Sequence, residues 1–198
     1  MPDFELEILA EKEGYKFVCG VDEAGRGPLA GPVCAAAVIL DTSVDIDGIN
    51  DSKKLSEKKR EVLYDVIKEK ALAFGIAFAS VEEIEEHNIL NATYLAMNRA
   101  IEQLKLKADF ALIDGNRVPK DIKIDCKTVV KGDAKSMSVA AASILAKVTR
   151  DRLLLEYDEK YPQYGFAKHK GYGTAEHIAA IREFGVSEVH RPSFLKKL

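Results

Sequence analysis

Three observations predict a layered α/β or α+β fold. Runs rich in β-branched, aromatic and alanine residues alternate with stretches at helical spacing. Three of the apolar runs finish with an acid close to a glycine, as strands do at the rim of a sheet. The chain has 198 residues, 47% hydrophobic and 31% charged, enough for a buried core under a solvated surface. The expectation is a single domain over residues 1–198, with a helical C-terminal part from about 174.

The first strand is read at "YKFVCGV", leading into Asp22. A glycine-rich link joins it to a second strand, "PVCAAAVIL", followed by the loop "DTSVDIDGIN". Ser56 is read as the N-cap of a helix over "EKKREVLYDVIKEKA", in which Val62, Leu63, Val66 and Ile67 share one face. "LAFGIAFASV" is a third strand, and Ser80 with Glu83 fits a capping box for a short acidic turn. Leu90, Tyr94, Met97, Ile101 and Leu104 then mark one face of an amphipathic helix. "DFALID" is nearly continuous in apolar character and predicts a fourth strand buried on both faces. "IKIDCKTVVKGD" is a fifth. "SVAAASILAKVTRDRLLLEYDEKY" is a long helix capped by Ser138, its alanines suited to close packing on a sheet. Thr174 caps the last helix, "TAEHIAAIREFG", and Gly185 stops it.

The formal net charge is −3. Proteins that coat nucleic acid are usually basic, so positive charge for that purpose has to be gathered on one face. The stretch "MPDFELEILAEKEG" carries five carboxylates against one lysine and skews the total. Cys19, Cys34 and Cys126 lie in apolar or strand-like runs with no CxxC pair. Buried free thiols in a reducing compartment fit them better than a zinc site. No signal-peptide pattern opens the chain, and no apolar run nears the ~18 residues of a membrane span. The expectation is a cytoplasmic protein without membrane contact.

The chemistry is read at the strand ends. Strand one ends at Asp22-Glu23, strand four at Asp114 in "ALIDGN", and strand five at Asp133 in "VVKGDAK". At one position alone, Asp beside Gly is ordinary turn chemistry. Three strands ending this way, one with a doubled acid, point to carboxylates converging at a rim. Converging carboxylates repel and raise one another's pKa. Divalent cations compensate: Mg²⁺ takes a few carboxylates plus waters and phosphate oxygens. Two such ions ~4 Å apart stabilise the attacking and leaving oxygens of a phosphodiester. An acid-only set favours Mg²⁺ or Mn²⁺ over zinc. Adjacent strand residues point to opposite faces, so Asp22 and Glu23 are expected to share a site only if the strand ends or kinks there.

Gly25 and Gly27 let the backbone approach a ligand closely, and Arg26 between them offers a forked donor to phosphate. Lys53, Lys54, Lys58, Lys59 and Arg60 form one basic cluster, and Lys168, His169 and Lys170 another. Ser52 and Lys53 can hold a phosphate through a hydroxyl and an ammonium. His87 and His177 read as helix-surface or cap residues, and His169 as a residue near the cleft.

"VDEAGRGPLAGPV" resembles the signature of bacterial ribonuclease HII, the type 2 ribonucleases H. "INDSKKLS", "NATYLAMNRAI", "IDGN", "VKGDAKSMSVAAASILAKVTRDR", "YPQYGFAKHKGYGTAEH" and "GVSEVHRPSF" resemble further family blocks, in family order, from about Val18 to Phe194. The resemblance implies a ribonuclease H-like α/β fold, a central mixed five-stranded sheet flanked by helices. It implies a metal-dependent endonuclease that cleaves the RNA strand of RNA–DNA hybrids. It further implies nicking of duplex DNA 5′ to a single embedded ribonucleotide, leaving 3′-hydroxyl and 5′-phosphate ends. The four catalytic acids carry over onto Asp22, Glu23, Asp114 and Asp133, and Asp151 also matches a family position but ranks lower, inside a helix. The junction-reading motif falls on Gly25, Arg26 and Gly27, and the junction tyrosine on Tyr172. A tyrosine ring stacked on a deoxyribose, with backbone groups reading a neighbouring 2′-OH, is a physical route to recognising the junction. A monomer is expected. Rival readings are a nuclease of the same fold that cuts all-DNA duplexes and a silent hybrid-binding module; all four acids being present argues against the second.

Overall fold

The computed structural model describes residues 1–44 and 46–196, so Asp45 in the predicted 41–50 loop and the last two residues of the predicted domain lie outside the described residues. The elements in chain order are α1 (Glu5–Lys12), β1 (Val18–Ala24), β2 (Val33–Ile39), α2 (Glu57–Lys70), β3 (Ala73–Ala79) and α3 (Val81–Glu102), then β4 (Phe110–Asp114), β5 (Asp125–Val129), α4 (Met137–Lys160), α5 (Phe166–His169), α6 (Ala175–Phe184) and α7 (Pro192–Leu195). The strands form one mixed sheet in the order β3-β2-β1-β4-β5. β1 pairs antiparallel with β2, and β2 with β3; β1 and β4, and β4 and β5, run parallel. The five-stranded mixed sheet flanked by helices is the predicted architecture.

Side-chain alternation distributes the core. Cys19, Val21, Ala35, Ala37 and Ile113 face α3, where Ala92, Ala96, Met97 and Ala100 cover them. Ala36 and Val38 face the other way, onto Ile144 and Leu145 of α4 and Leu63 and Ile67 of α2. Every residue from Met137 to Ala146 is buried, as expected of a helix laid across a sheet centre. The approach is close: a Cβ on Gly20 would lie 2.1 Å from the Ser138 carbonyl carbon, so only glycine fits under the start of α4.

Several boundaries depart from expectation. α1 occupies the acidic opening stretch, for which no element was predicted; its Glu7 is buried. In α2 Leu63 and Ile67 are buried but Val62 is 59% exposed, because an apolar residue one step off the stripe turns outward. The N-cap of α4 is Ser136, whose hydroxyl accepts from the Val139 N–H, rather than Ser138. β5 stops at Val129, and Asp133 sits in a one-turn 3₁₀ helix, Gly132–Ala134, after a left-handed Lys131. The Ser80–Glu83 capping box is present. At Asn88 the chain leaves helical geometry (φ 65°), and the Asn88 Oδ1 accepts from the N–H groups of Leu90 and Asn91. α3 is therefore two helices end to end, the second capped by Asn88. β4 is buried through Ile113, and Thr174 caps α6 as predicted. Cys19 and Cys34 are buried free thiols and Cys126 is half-buried; burial pushes the Cys19 thiol up to about 12.

Candidate active site

β1 does not kink at the doubled acid. It stays paired with β2 through Glu23↔Ala35 and Ala24↔Cys34. Its pairing with β4 stops earlier, at Val21↔Ile113. Beyond Val21 the β4 side of β1 is open, and both acids border that opening from opposite faces. Asp22 follows the parity of Gly20, toward α4; Glu23 follows Val21, toward α3. The expectation that the strand must end or kink is thus corrected: the rim itself lets adjacent residues reach one space.

Asp114, the last residue of β4, borders the same opening. Its Oδ1 accepts from the Gly132 N–H at 2.7 Å, which ties β4 to the turn carrying Asp133. Burial is the largest influence on Asp22 and pushes its carboxyl well up, with Glu23, Asp114 and Asp133 adding repulsion. Burial also raises Glu23, against the pull of Arg26, whose Nη1 lies 3.2 Å from the Glu23 Oε1. Asp133 is raised by burial and by the negative charges of Asp114 and Asp51, with Lys53 opposing. Burial alone would lower Lys53, but Asp22, Asp133, Asp51 and Asp114 outweigh it and hold its ammonium up. One anionic field therefore joins the four acids and acts on Lys53. Among the described residues, no three His, Cys, Asp or Glu side chains form a ready metal cage. The acids line a rim instead, and an ion held there would need further ligands from outside the protein. That suits an ion which completes its shell with waters and phosphate oxygens, and an all-oxygen set suits Mg²⁺ or Mn²⁺.

Asp151 stands apart. It is buried in α4 and its Oδ1 accepts from Lys147 Nζ at 2.6 Å. Lys147 is lowered by burial, with Asp151 opposing.

A cavity of about 190 Å³ brings Asp22, Glu23, Gly25, Arg26 and Gly27 together with Ser52, Lys53 and Tyr172. Glu23 and Arg26 also line a second cavity of about 340 Å³, with Asp114, Asn116, Arg117 and Tyr94. The Glu23–Arg26 pair separates the two. The 46% exposed Tyr172 packs over Gly27: a Cβ there would lie 3.6 Å from its Cε1. Ser52 is buried in a one-turn 3₁₀ helix, Ser52–Lys54, capped by Asp51. Arg60 does not present its charge outward; it donates to the Ser52 and Leu55 carbonyls and props that turn.

Two buried arginines absent from the sequence reading shape the loop. Arg150 donates to the carbonyls of Ala30, Pro32 and Lys170. Arg191 donates to those of Gly25, Arg26, Pro28 and Gly31. Gly25 has φ +97°, and a Cβ on it would lie 2.0 Å from the Arg150 Nε. Both arginines fall in quoted stretches, "VTRDR" and "VHRPSF". A charge inside an alanine-rich buried helix, and one ahead of a proline, were the available signals. The tail clasps the same loop: Leu29 N–H donates to Gly171, Gly31 N–H to Val189, and Arg191 N–H to Leu29. His177 is fully buried rather than on a surface, because its ring faces His190 and not solvent.

The family description Ribonuclease HII matches residues 19–197. A ribonuclease HII of Ruminiclostridium cellulolyticum is 58% identical over 196 residues, covering 99% of this chain and 76% of that protein. One of Caldicellulosiruptor saccharolyticus is 55% identical over 195 residues, covering 98% and 95%. Among solved structures, the ribonuclease H2 of Pyrococcus horikoshii OT3 superposes with a TM-score of 0.75 at 27% identity, over 90% of this chain and 93% of that one.

Proposed function

The chain belongs to the ribonuclease HII family, and from that premise we propose how its residues divide the work. The family's activity is cleavage of RNA in RNA–DNA hybrids and at ribonucleotides embedded in DNA, and it is metal-dependent in general. In our reading Asp22, Glu23, Asp114 and Asp133 are the catalytic acids and hold Mg²⁺ or Mn²⁺. Bound there, the ions supply Lewis-acid stabilisation of the attacking and leaving oxygens. Gly25, Arg26 and Gly27, with Ser52, Lys53 and Tyr172, bind the substrate. The cut falls 5′ to the ribonucleotide and leaves 3′-hydroxyl and 5′-phosphate ends.

The observation that carries this reading is the shared anionic rim, in which burial and neighbouring acids, Asp114 among them, raise Asp22, Glu23 and Asp133. Lys53 borders that rim and supports docking of the backbone phosphate. The carbonyls of Gly25 and Arg26 are engaged by Arg191, so this loop presents its N–H groups without having to order itself on binding. Tyr172, packed on Gly27, offers a ring face to the sugar beside the one whose 2′-OH the loop reads. A monomer is our working reading, and the free thiols support a reducing compartment such as the cytoplasm.

A duplex with one ribonucleotide in one strand tests the assignment. With Mg²⁺ or Mn²⁺ a single nick is expected on the 5′ side of the ribonucleotide, and none in an all-DNA control. Cleavage of the control, or no cleavage with either ion, overturns it.

A further inference from the structure

Around the segment that carries Tyr172, and outside the residues that line the two cavities, three histidines pack together. His177 and His190 are 0% and 1% exposed and His169 is 8% exposed. The His169 and His177 rings stack with centroids 4.3 Å apart and planes 16° apart. His177 Nε2 lies 3.1 Å from His190 Nε2. The proposed chemistry uses none of these rings directly.

The hydrogen-bond partners fix which nitrogens carry protons. His190 Nδ1 accepts from the Ser187 N–H at 2.9 Å, so its proton is on Nε2. His177 Nε2 must then accept, which puts the His177 proton on Nδ1, 2.8 Å from the Tyr172 carbonyl oxygen. His169 Nδ1 accepts from the Gly171 N–H at 3.2 Å, and its Nε2–H points at the Tyr164 carbonyl, 2.8 Å away. Every donor meets an acceptor, which is required of a buried polar network. The order is one-way: Ser187 N–H to His190, His190 to His177, His177 to the Tyr172 carbonyl. Burial lowers His177, and lowers His190 to about 4, so both rings stay neutral at pH 7 as this order demands.

The network ends on the backbone of the segment that presents Tyr172. His169 holds the N–H of Gly171, and the His169 carbonyl accepts the Tyr172 N–H at 2.9 Å. The Gly171 carbonyl accepts from Leu29 N–H in the glycine-rich loop. We propose that His177 and His190 are positioning residues for Tyr172, acting through a directed imidazole relay onto its carbonyl that holds its ring over Gly27. The proposal rests on the reading that Tyr172 contacts the substrate sugar.

Side-chain chemistry separates this role from mere packing. An Asn amide at 177 keeps a donor near the position of Nδ1 and loses the Nε2 acceptor, whereas Leu removes both. KM and kcat for the single-ribonucleotide duplex are measured for His177→Leu and His177→Asn. Each variant is made alone and with Tyr172→Ala, alongside thermal melts. The expected result is a KM raised about tenfold by His177→Leu, with a smaller change in kcat, and most of that loss recovered in His177→Asn. In the Tyr172→Ala background His177→Leu should change KM by less than about twofold. An equal loss in both backgrounds, or an unchanged KM in folded His177→Leu, overturns the relay while leaving the role of Tyr172 intact. An unchanged KM in Tyr172→Ala alone overturns the reading of Tyr172 and the relay with it. Should His177→Leu fail to fold, His190→Gln, which keeps a donor toward His177, is compared with His190→Met, which does not, under the same criteria.

Discussion

Asp22 is held where its charge is least welcome. It is buried, faces three further acids, and keeps one oxygen on the N–H of Glu23. Its carboxyl is raised relative to an unfolded value of about 3.9, so the metal-free folded state binds the proton more readily than the unfolded chain does. Stability from this group is present at acid pH and declines as pH rises from about 4 through the raised value. Asp22→Asn should therefore abolish cleavage, by about 10³-fold or more, while the metal-free melting temperature at pH 7.5 holds or rises. A marked fall in that temperature would make Asp22 structural. His190 behaves in the opposite sense. Its folded value of about 4 lies below the unfolded 6.5, so its contribution is complete above about pH 6.5 and is lost as pH falls toward 4. Urea titrations at pH 7, 5.5 and 4.5 should show the midpoint falling, and His190→Gln should flatten that trend.

Elements hold these residues in place through few contacts of high value. Glu7 of α1 is 2% exposed, and its Oε1 accepts from the Ser136 hydroxyl at 2.6 Å and the Ser138 N–H at 2.9 Å. It caps the start of α4 three residues beyond Asp133. Glu7→Ala should cost about 1–3 kcal/mol in chemical denaturation and Glu7→Gln much less, since the amide oxygen still accepts both bonds. Arg191→Lys should cost about 2 kcal/mol or more, because an ammonium cannot reach the four carbonyls that the planar fork holds. The strands were legible from their apolar runs, and three runs closing near an acid marked the rim, although Asp133 lies in a turn beyond the end of β5. The family blocks assigned Gly27 and Tyr172 to junction reading without saying that they touch, and the structure packs one on the other. Arg150, Arg191 and Glu7 were not legible. Their role is to satisfy backbone groups distant in sequence, and neither periodicity nor spacing carries that information. The same holds for His177, whose place on an amphipathic helix reads as a cap until the tail brings His190 against it.

At the scale of the molecule, the C-terminal segment is the outer wall of the site as much as a terminus. Residues 162–191 return to the glycine-rich loop, joined by Leu29–Gly171, Gly31–Val189 and Arg191–Leu29 backbone bonds. Hydrogen exchange should therefore find the amides of Leu29, Gly31 and Arg191 opening together as one unit, and independent rates for the three would contradict this coupling. The unkinked β1 strand has a further consequence. Because Asp22 and Glu23 occupy opposite faces of a strand whose register β2 fixes through both residues, the shorter acid is assigned to one side of the sheet and the longer to the other. A slip of one residue would exchange them. So would Asp22→Glu combined with Glu23→Asp, which preserves composition, charge and every neighbour. The order of two letters thus encodes reach as well as identity, and catalytic competence certifies that the central strand was paired correctly.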